Sequence, residues 1–473
     1  TRRSSDLALF AFDKFLCGLS SSTDTADSGF CRRIQVDAKV RVLIREPAGE
    51  EIALSEFTAG KDEITRQIIE YGGLFEFNVA RLQDRVTVPL PLALGGGPGS
   101  GDEGGEVGPA DARELRQRRG SGEGETVEEA PGEAAPQLAA TSQPTNPAEV
   151  AEDGAGPDAG AVAQADGDPG VRPMTVAEKI FARHWVVNAA EDEVGVPWVE
   201  PGEAGFFRTD IRFSHEYVTP MSAIFFEQKV GTESRVVDPE TVLFFRDHLT
   251  FLGKVMSQER IEEGLLDVAN QLEVKQREFA ERQGIKLYGE QMGHRQGSQA
   301  ICHSKILEEY AEPGHLIIGS DSHTPHAGAI GAVAFGVGTT AIFNSWITKD
   351  VRVRVPKSFK VVVTGEPAPN VTAKDYMLEI LRHPYIRDGH AIGQIIEYAG
   401  EAVEALSVDE RATMTNMAAE VGAFTGIIGA DEKCVEFLVE ERGMDRARAE
   451  ELIRDMQSDP DAEYVKVIEI DAS

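Results

Sequence analysis

Three residues with complementary chemistry stand together at Asp321, Ser322 and His323, directly after the apolar run Leu316 to Ile318. A short apolar run bounded by glycine and histidine reads as a buried strand. That places a carboxylate, a hydroxyl and an imidazole at the carboxyl end of a strand, where open α/β sheets bind ligands. A glycine-spaced helix is expected to follow through Gly328, Gly331, Gly336 and Gly338, and its N-terminus would offer N–H groups to an anion. A second pair, Asp247 and His248, stands in FFRDHLTF. An aspartate beside a histidine orients the ring and raises its pKa, giving a proton donor near neutral pH. A third pair, Asn416 and Glu420, is spaced i and i+4 on a helix that Ser407 and Glu410 begin as a capping box. Met414, Met417 and Val421 flank that pair and point to a buried site. Each group also has a plainer use, as an N-cap, a helix-end ion pair or a solvated face. The glycines alone make no nucleotide loop, because neither a P-loop lysine nor the dinucleotide spacing accompanies them.

These residues need a scaffold of alternating strands and helices. Thr175 and Glu178 form a capping box for a helix running to Trp185. Asp238-Pro239 reads as the start of a helix that extends to Phe251 and carries Asp247 and His248 at its end. A long helix from Gln258 to a glycine cap at Gly284 carries Leu265, Val268, Leu272 and Phe279 on its apolar side. Strands are expected at Ile285 to Tyr288, Leu316 to Ile318, Val351 to Val355 and Phe359 to Val363. Helices are expected at Thr372 to Arg382 and Ser407 to Ala423. Such alternation favours an α/β fold of doubly wound, mostly parallel sheets.

Upstream the composition changes. From Asn78 to Ile180 there is no aromatic residue, and the chain from Pro91 to Arg172 is Gly, Ala, Pro, Glu and Asp with little to bury. Residues 91–172 are therefore expected to be a disordered acidic linker. They separate a small α/β unit at 1–90 from the catalytic region at 173–473. In the small unit, Val40 to Ile44 reads as a strand, Glu63 to Tyr71 as a helix ended by Gly72-Gly73, and Leu74 to Val79 as a closing strand.

The 473 residues carry 47 Lys plus Arg against 80 Asp plus Glu, a net charge of −33, which argues against nucleic acid or an anionic membrane as partner. A local basic cluster still allows an anionic substrate. Cys17, Cys31, Cys302 and Cys434 show neither CxxC nor metal-ligand spacing and read as reduced thiols of a cytoplasmic protein. No apolar run reaches the roughly 20 residues that span a bilayer.

The words DSHTP…G..G..AFGVG resemble the signature of the aconitase and isopropylmalate isomerase superfamily. AICHSKILEEYAEPGHLIIGSDSH is similar to the family's G-I-x-H…PG…DSH stretch, and SVDERATMTNMAAEVGAFTGII to its S…R.T..NM..E.GA pattern. HEYVTP, from His215 to Pro220, looks like the HEVTSP segment of isopropylmalate isomerase large subunits. EITRQIIEYGGLFEFNVARL resembles the tail of the family's swivel domain. The resemblance implies the fold of the first two aconitase domains. It implies that His248 is the acid for hydroxyl departure with Asp247 as its partner, that His303 pairs with Asp321, and that Glu420 backs His323. It also places His215, Ser322 and Asn416 toward the substrate. Two imidazole–carboxylate pairs at one site would separate acid from base. His315, His326 and Cys302 match no functional position.

The implied reaction removes water from a hydroxy di- or tricarboxylate, such as 3-isopropylmalate or citrate/isocitrate, and adds it back. The family's Lewis acid is the open iron of a [4Fe–4S] cluster held by three cysteines. The cluster cysteines, the substrate-binding arginines and the GSSR serine that serves as base are absent from this chain. The resemblance thus implies a second polypeptide or a further C-terminal region that supplies them. Two other readings stand beside the hydro-lyase: a non-catalytic remnant or binding subunit, and a mononuclear metal hydrolase using His303, Asp321 and His323.

Overall fold

The computed structural model describes residues 58–95, 172–291 and 297–473, with the backbone of three short strands before them. Those strands, β1 (Ile34–Asp37), β2 (Arg41–Ile44) and β3 (Glu50–Ala53), pair antiparallel in sequence order. The opening stretch at 1–30, Cys17, Cys31 and all but the two ends of the expected acidic segment at 91–172 lie outside the described residues.

Helix α1 (Glu63–Glu70) begins at Asp62, whose carboxylate accepts from Thr65 N–H at 3.0 Å. Gly72 and Gly73 then take positive φ, +82° and +148°, and reverse the chain. The chain continues as helix α2 (Leu74–Leu82), where a closing strand was expected at Leu74 to Val79. Helical spacing puts Phe77, Asn78 and Arg81 on one buried face, and their partners lie far along the chain. Phe77 stacks on Phe206 at 5.9 Å, Asn78 donates to Asn344 at 3.0 Å, and Arg81 pairs with the fully buried Asp350. Tertiary packing outweighs the local pattern here.

After Arg172 the expected capping box forms, with Glu178 N–H on Thr175 Oγ1 at 3.2 Å, and opens helix α3 (Val176–His184). Strands β4 (Ala204–Arg208) and β5 (Ile211–His215) lead into helix α4 (Thr219–Val230). Asp238-Pro239 starts only a single 3₁₀ turn, and Val242–Phe245 is strand β6 rather than helix. All four of its side chains are buried between parallel neighbours, the environment that a continuous VLFF run suits. Asp247 and His248 thus lie in the loop after a strand, not at a helix end. The long helix is broken at Gly264, which takes φ +82°, so Gln258–Glu262 is separate from α5 (Leu265–Gln283). Leu265 and Val268 are exposed, Ala269 is buried, and the later turns around Phe279 enter the core.

Strands β7 (Lys286–Tyr288), β8 (Leu316–Gly319) and β9 (Val333–Gly336) complete a five-stranded sheet in the order β9-β8-β5-β6-β7, parallel throughout. The helix expected after His323 is a 3₁₀ turn at Thr324–Ile330 followed by β9 and then helix α6 (Thr339–Thr348). The glycines serve close backbone packing there. A Cβ on Gly328 would collide with the carbonyl of Gly426, and one on Gly336 would sit 2.5 Å from the carbonyl oxygen of Asp321.

Strand β10 (Asp350–Arg354) pairs antiparallel with β4. A second parallel sheet, in the order β13-β12-β11-β14, is built from β11 (Ser358–Thr364), β12 (Ile395–Ala399), β13 (Thr425–Ile427) and β14 (Val467–Asp471). It carries helix α7 (Ala373–Arg382) and the pair α8 (Val408–Asn416) and α9 (Ala418–Val421). The Ser407–Glu410 capping box forms as expected, but the helix is interrupted at Met417, so Asn416 and Glu420 fall on two short segments. No helix among the described residues is long and apolar enough to cross a membrane.

Candidate functional site

Three neighbouring strands of the first sheet end in the polar residues singled out from the sequence. Strand β5 delivers His215, the loop after β6 delivers Asp247 and His248, and β8 runs through Gly319 into Ser320, Asp321, Ser322 and His323. The short helix Cys302–Lys305 brings His303 against them, and α9 brings Glu420 from the other side.

Asp321 is the hub. Its Oδ2 accepts from His248 Nε2 at 3.1 Å, and its Oδ1 accepts from His303 Nε2 at 3.0 Å and from the His323 amide at 2.8 Å. These donors, led by the His248 ring, hold the Asp321 carboxyl far below the ordinary carboxylate range. On its other side, His248 Nδ1 lies 2.9 Å from Asp247 Oδ1. Asp247 Oδ2 in turn accepts the Cys302 amide at 2.8 Å. Burial works to raise the Asp247 carboxyl, but the hydrogen bonds from His248 and Cys302 outweigh it and leave it lowered. Both nitrogens of His248 therefore face carboxylates, which makes the ring an imidazolium with two donors. Hydrogen bonds to Asp247 first and Asp321 second push it up to about 10.

His215 is buried beside this pair, its ring centroid 4.3 Å from that of His248. Its Nδ1 accepts the Tyr217 amide at 3.3 Å, which leaves Nε2 as the protonated nitrogen facing the Ser320 carbonyl at 3.3 Å. Burial, with the charge of His248 next to it, lowers His215 to about 4, so it is a neutral donor. His323 Nε2 meets Glu420 Oε1 at 3.1 Å, and its Nδ1 meets Ser322 Oγ at 3.2 Å. The structure thus joins Asp247, His248, Asp321, His303, His323 and Glu420 in one hydrogen-bonded chain. His215 and Ser322 border it. Glu420 is exposed, with 44% of its side-chain surface accessible, where the flanking methionines had suggested burial. Asn416 does not touch the chain directly; its amide lies 3.3 Å from His326 Nδ1.

Three participants escaped the sequence reading. His326 follows His323 by one 3₁₀ turn, and its ring lies 6.2 Å from that of His303. Burial and the neighbouring His303 and His323 lower it to about 4. Tyr217 packs edge-on to both His215 and His248, at 5.5 and 5.9 Å. Glu216, directly after His215, is fully buried beneath the Asp247–His248 loop. The available signals were adjacency in HEYVTP and the i+3 spacing in HTPH.

The trio His303, Asp321 and His323 is not among the described groups whose donor atoms converge as metal ligands do. The groups that converge are His215–His248–Asp321 and Glu216–Asp247–His248. In this structure the same atoms are taken up by hydrogen bonds: both nitrogens of His248 face carboxylates, and His215 Nδ1 accepts the Tyr217 amide while its Nε2 faces the Ser320 carbonyl. The [4Fe–4S] cluster implied by the sequence needs three thiolates. Among the described residues only Cys302 and Cys434 are cysteines, both fully buried, and burial pushes both thiols up. They do not fit a cluster.

Residues 178–473 match the model of the aconitase family (aconitate hydratase). The chain is 38% identical over 308 residues to the 3-isopropylmalate dehydratase large subunit 1 of Pyrococcus furiosus, covering 63% of this chain and 62% of that protein. It is 36% identical over 301 residues to the 3-isopropylmalate dehydratase large subunit of a Sulfurihydrogenibium species, and 34% over 308 residues to that of Aquifex aeolicus, covering 63% of this chain and 61% of each relative. The chain thus spans about 62% of the length of these relatives. A match over well more than half its residues, on the strand ends that bear the histidine–carboxylate chain, places the protein in the aconitase family.

Proposed function

We propose that this chain forms one part of a hydro-lyase that removes water from a hydroxy di- or tricarboxylate and adds it back. 3-Isopropylmalate is the favoured substrate and citrate/isocitrate the alternative. The observation that carries the reading is the single carboxylate of Asp321 shared by His248 and His303, with Asp247 on the far nitrogen of His248. The relatives named 3-isopropylmalate dehydratase large subunit support the substrate class and a second polypeptide as partner.

Dehydration of a hydroxy acid requires a proton for the departing hydroxyl. The His248 imidazolium holds one, fixed in direction by carboxylates at both nitrogens. Donation from Nε2 breaks its bond to Asp321, and the charge lost from the ring leaves Asp321 to lean on His303 and the His323 amide. Nδ1–H stays on Asp247, which orients the ring for reprotonation when water adds back. His215 offers a neutral N–H beside it, and His323, steadied by Glu420, is held to the same Asp321 carboxylate through its amide. The base, the Lewis acid and the arginines that the family uses would come from groups outside this set. Residues 173–473 are proposed as the catalytic region, with 1–90 as a swivel-like unit joined to it through 91–172.

In the complete natural assembly, His248→Asn should lower kcat by about 10²- to 10⁴-fold with KM changed only severalfold. Interconversion of 3-isopropylmalate or citrate isomers, followed by NMR in D₂O, is the readout. An unchanged kcat, or no turnover of any hydroxy acid by the wild-type assembly, overturns the reading.

A further inference from the structure

Beneath the Asp247–His248 loop lies a carboxylate that the proton transfer from His248 does not use. The Glu216 side chain is fully buried, a position that disfavours a charge unless it is paired and hydrogen-bonded. It is bonded in an unusual way: Oε1 accepts the Leu249 amide at 2.5 Å and Oε2 accepts the Asp247 amide at 3.4 Å. These are the two amides on either side of His248. Its Oε2 also lies 4.0 Å from His248 Nδ1.

We propose that Glu216 is a positioning residue whose buried carboxylate clamps the backbone around His248 and sets both the direction and the charge of that ring. This deepens the hydro-lyase reading and rests on it for the role of His248. The clamp fixes the loop from strand β5, one residue past His215, so the ring is aimed across the neighbouring strand end at Asp321. Three carboxylates, Asp247, Asp321 and Glu216, then surround one imidazolium. Two of them meet the ring edge directly, while Glu216 acts through the backbone and at longer range. His215, neutral and tilted against His248, adds no opposing charge. Burial, with the Asp247 charge beside it, pushes the Glu216 carboxyl up, and its own amide, the Leu249 amide and the His248 charge offset only part of that rise.

Glutamine at this position keeps the shape but removes the charge, and its amide nitrogen cannot accept a second N–H. In Glu216→Gln, His248 should titrate about one pH unit lower than in wild type, within the range expected for loss of a nearby opposite charge. The alkaline limb of kcat/KM should move by the same amount. Glu216→Asp keeps the charge on a shorter stem and should restore most of the shift. The ring is followed by NMR titration of isotopically labelled histidine in the full chain, a readout that does not depend on turnover. A companion measurement needs no variant: in wild type, the ¹³C resonance of the Glu216 carboxyl should respond when His248 loses its proton near pH 10. A His248 pKa unchanged in folded Glu216→Gln, or equal shifts in the Gln and Asp variants, overturns the proposal. So does a Glu216 resonance that is silent through the His248 transition. If the assembly turns over no hydroxy acid yet these shifts appear, the hydro-lyase reading fails while the positioning role stands.

Discussion

Adding one methyl group at Gly336 should disturb a site to which Gly336 contributes no side chain. A Cβ there would lie 2.5 Å from the Asp321 carbonyl oxygen, 3.2 Å from its carbonyl carbon and 3.3 Å from the Ser322 Cα. All three are backbone atoms with no rotamer by which to escape. Ordinary contact needs about 3.4 Å or more, so one of the two segments must move by about 0.9 Å. If the Asp321 loop yields, the bonds from His248 and His303, now 3.1 and 3.0 Å, stretch beyond hydrogen-bonding range. If β9 yields, its register with Gly319 and the 2.8 Å bond from the Val337 amide to the Gly319 carbonyl loosen. Either response costs about 1–3 kcal/mol, the usual range for overpacking. Urea unfolding of Gly336→Ala should show that loss as a lower midpoint at unchanged slope. Where the Asp321 loop is the part that yields, His248 should also titrate below its wild-type value of about 10, because one of its two carboxylate partners has moved away. A midpoint and a His248 titration both indistinguishable from wild type would refute the argument that this glycine exists to let β9 approach Asp321.

Asp321→Asn should make the pH dependence of stability shallower at both ends. Asp321, lowered in the folded state, contributes stability that is present above its unfolded pKa and lost as pH falls. His248, raised to about 10, contributes stability that is full below about 6.5 and lost as pH rises through 10. Both contributions shrink in the variant, and thermal unfolding across pH 3–10.5 checks this. Arg81→Met should destabilise by about 3 kcal/mol, at the low end for breaking a buried pair, because Arg208 Nε remains on Asp350 at 2.8 Å. Chemical denaturation measures it. Glu420→Gln should change stability by no more than about 1 kcal/mol, since both members of its pair with His323 are substantially exposed. A larger loss in a calorimetric scan would mean that the pair is buried by something else.

The chemistry was more legible than the geometry. Asp247 with His248 and Asp321 with His323 could be picked out as close-set residues following apolar runs, while His303 and Glu420, which lie on helices, were singled out by the resemblance to the family's motifs. The elements holding them were harder to read where two periods compete. VLFF after Asp238-Pro239 carries no alternation, so a helix start signal stood unopposed; burial on both faces of a parallel sheet made it a strand. Leu74 to Val79 read as a strand, yet Phe77 and Arg81 answer to Phe206 and Asp350, partners that no local window contains. The glycines before α6 suggested a helix of small residues, while their cause lay in the carbonyls of Asp321 and Gly426. Glu216 was unreadable for the same reason: a fully buried carboxylate makes sense only beside the amides that it accepts.

His248 and Asp321 are separated by 73 residues of sequence. At a synthesis rate of roughly 5–20 residues per second, the nascent chain waits about 4 to 15 seconds between making the ring and making its counter-ion. During that interval β5 and β6 can already associate, while the flank of β5 that β8 will occupy stays bare. An unprotected strand margin invites the wrong neighbour. The shared carboxylate at the heart of the site thus also marks the step at which the growing molecule covers that margin of β5.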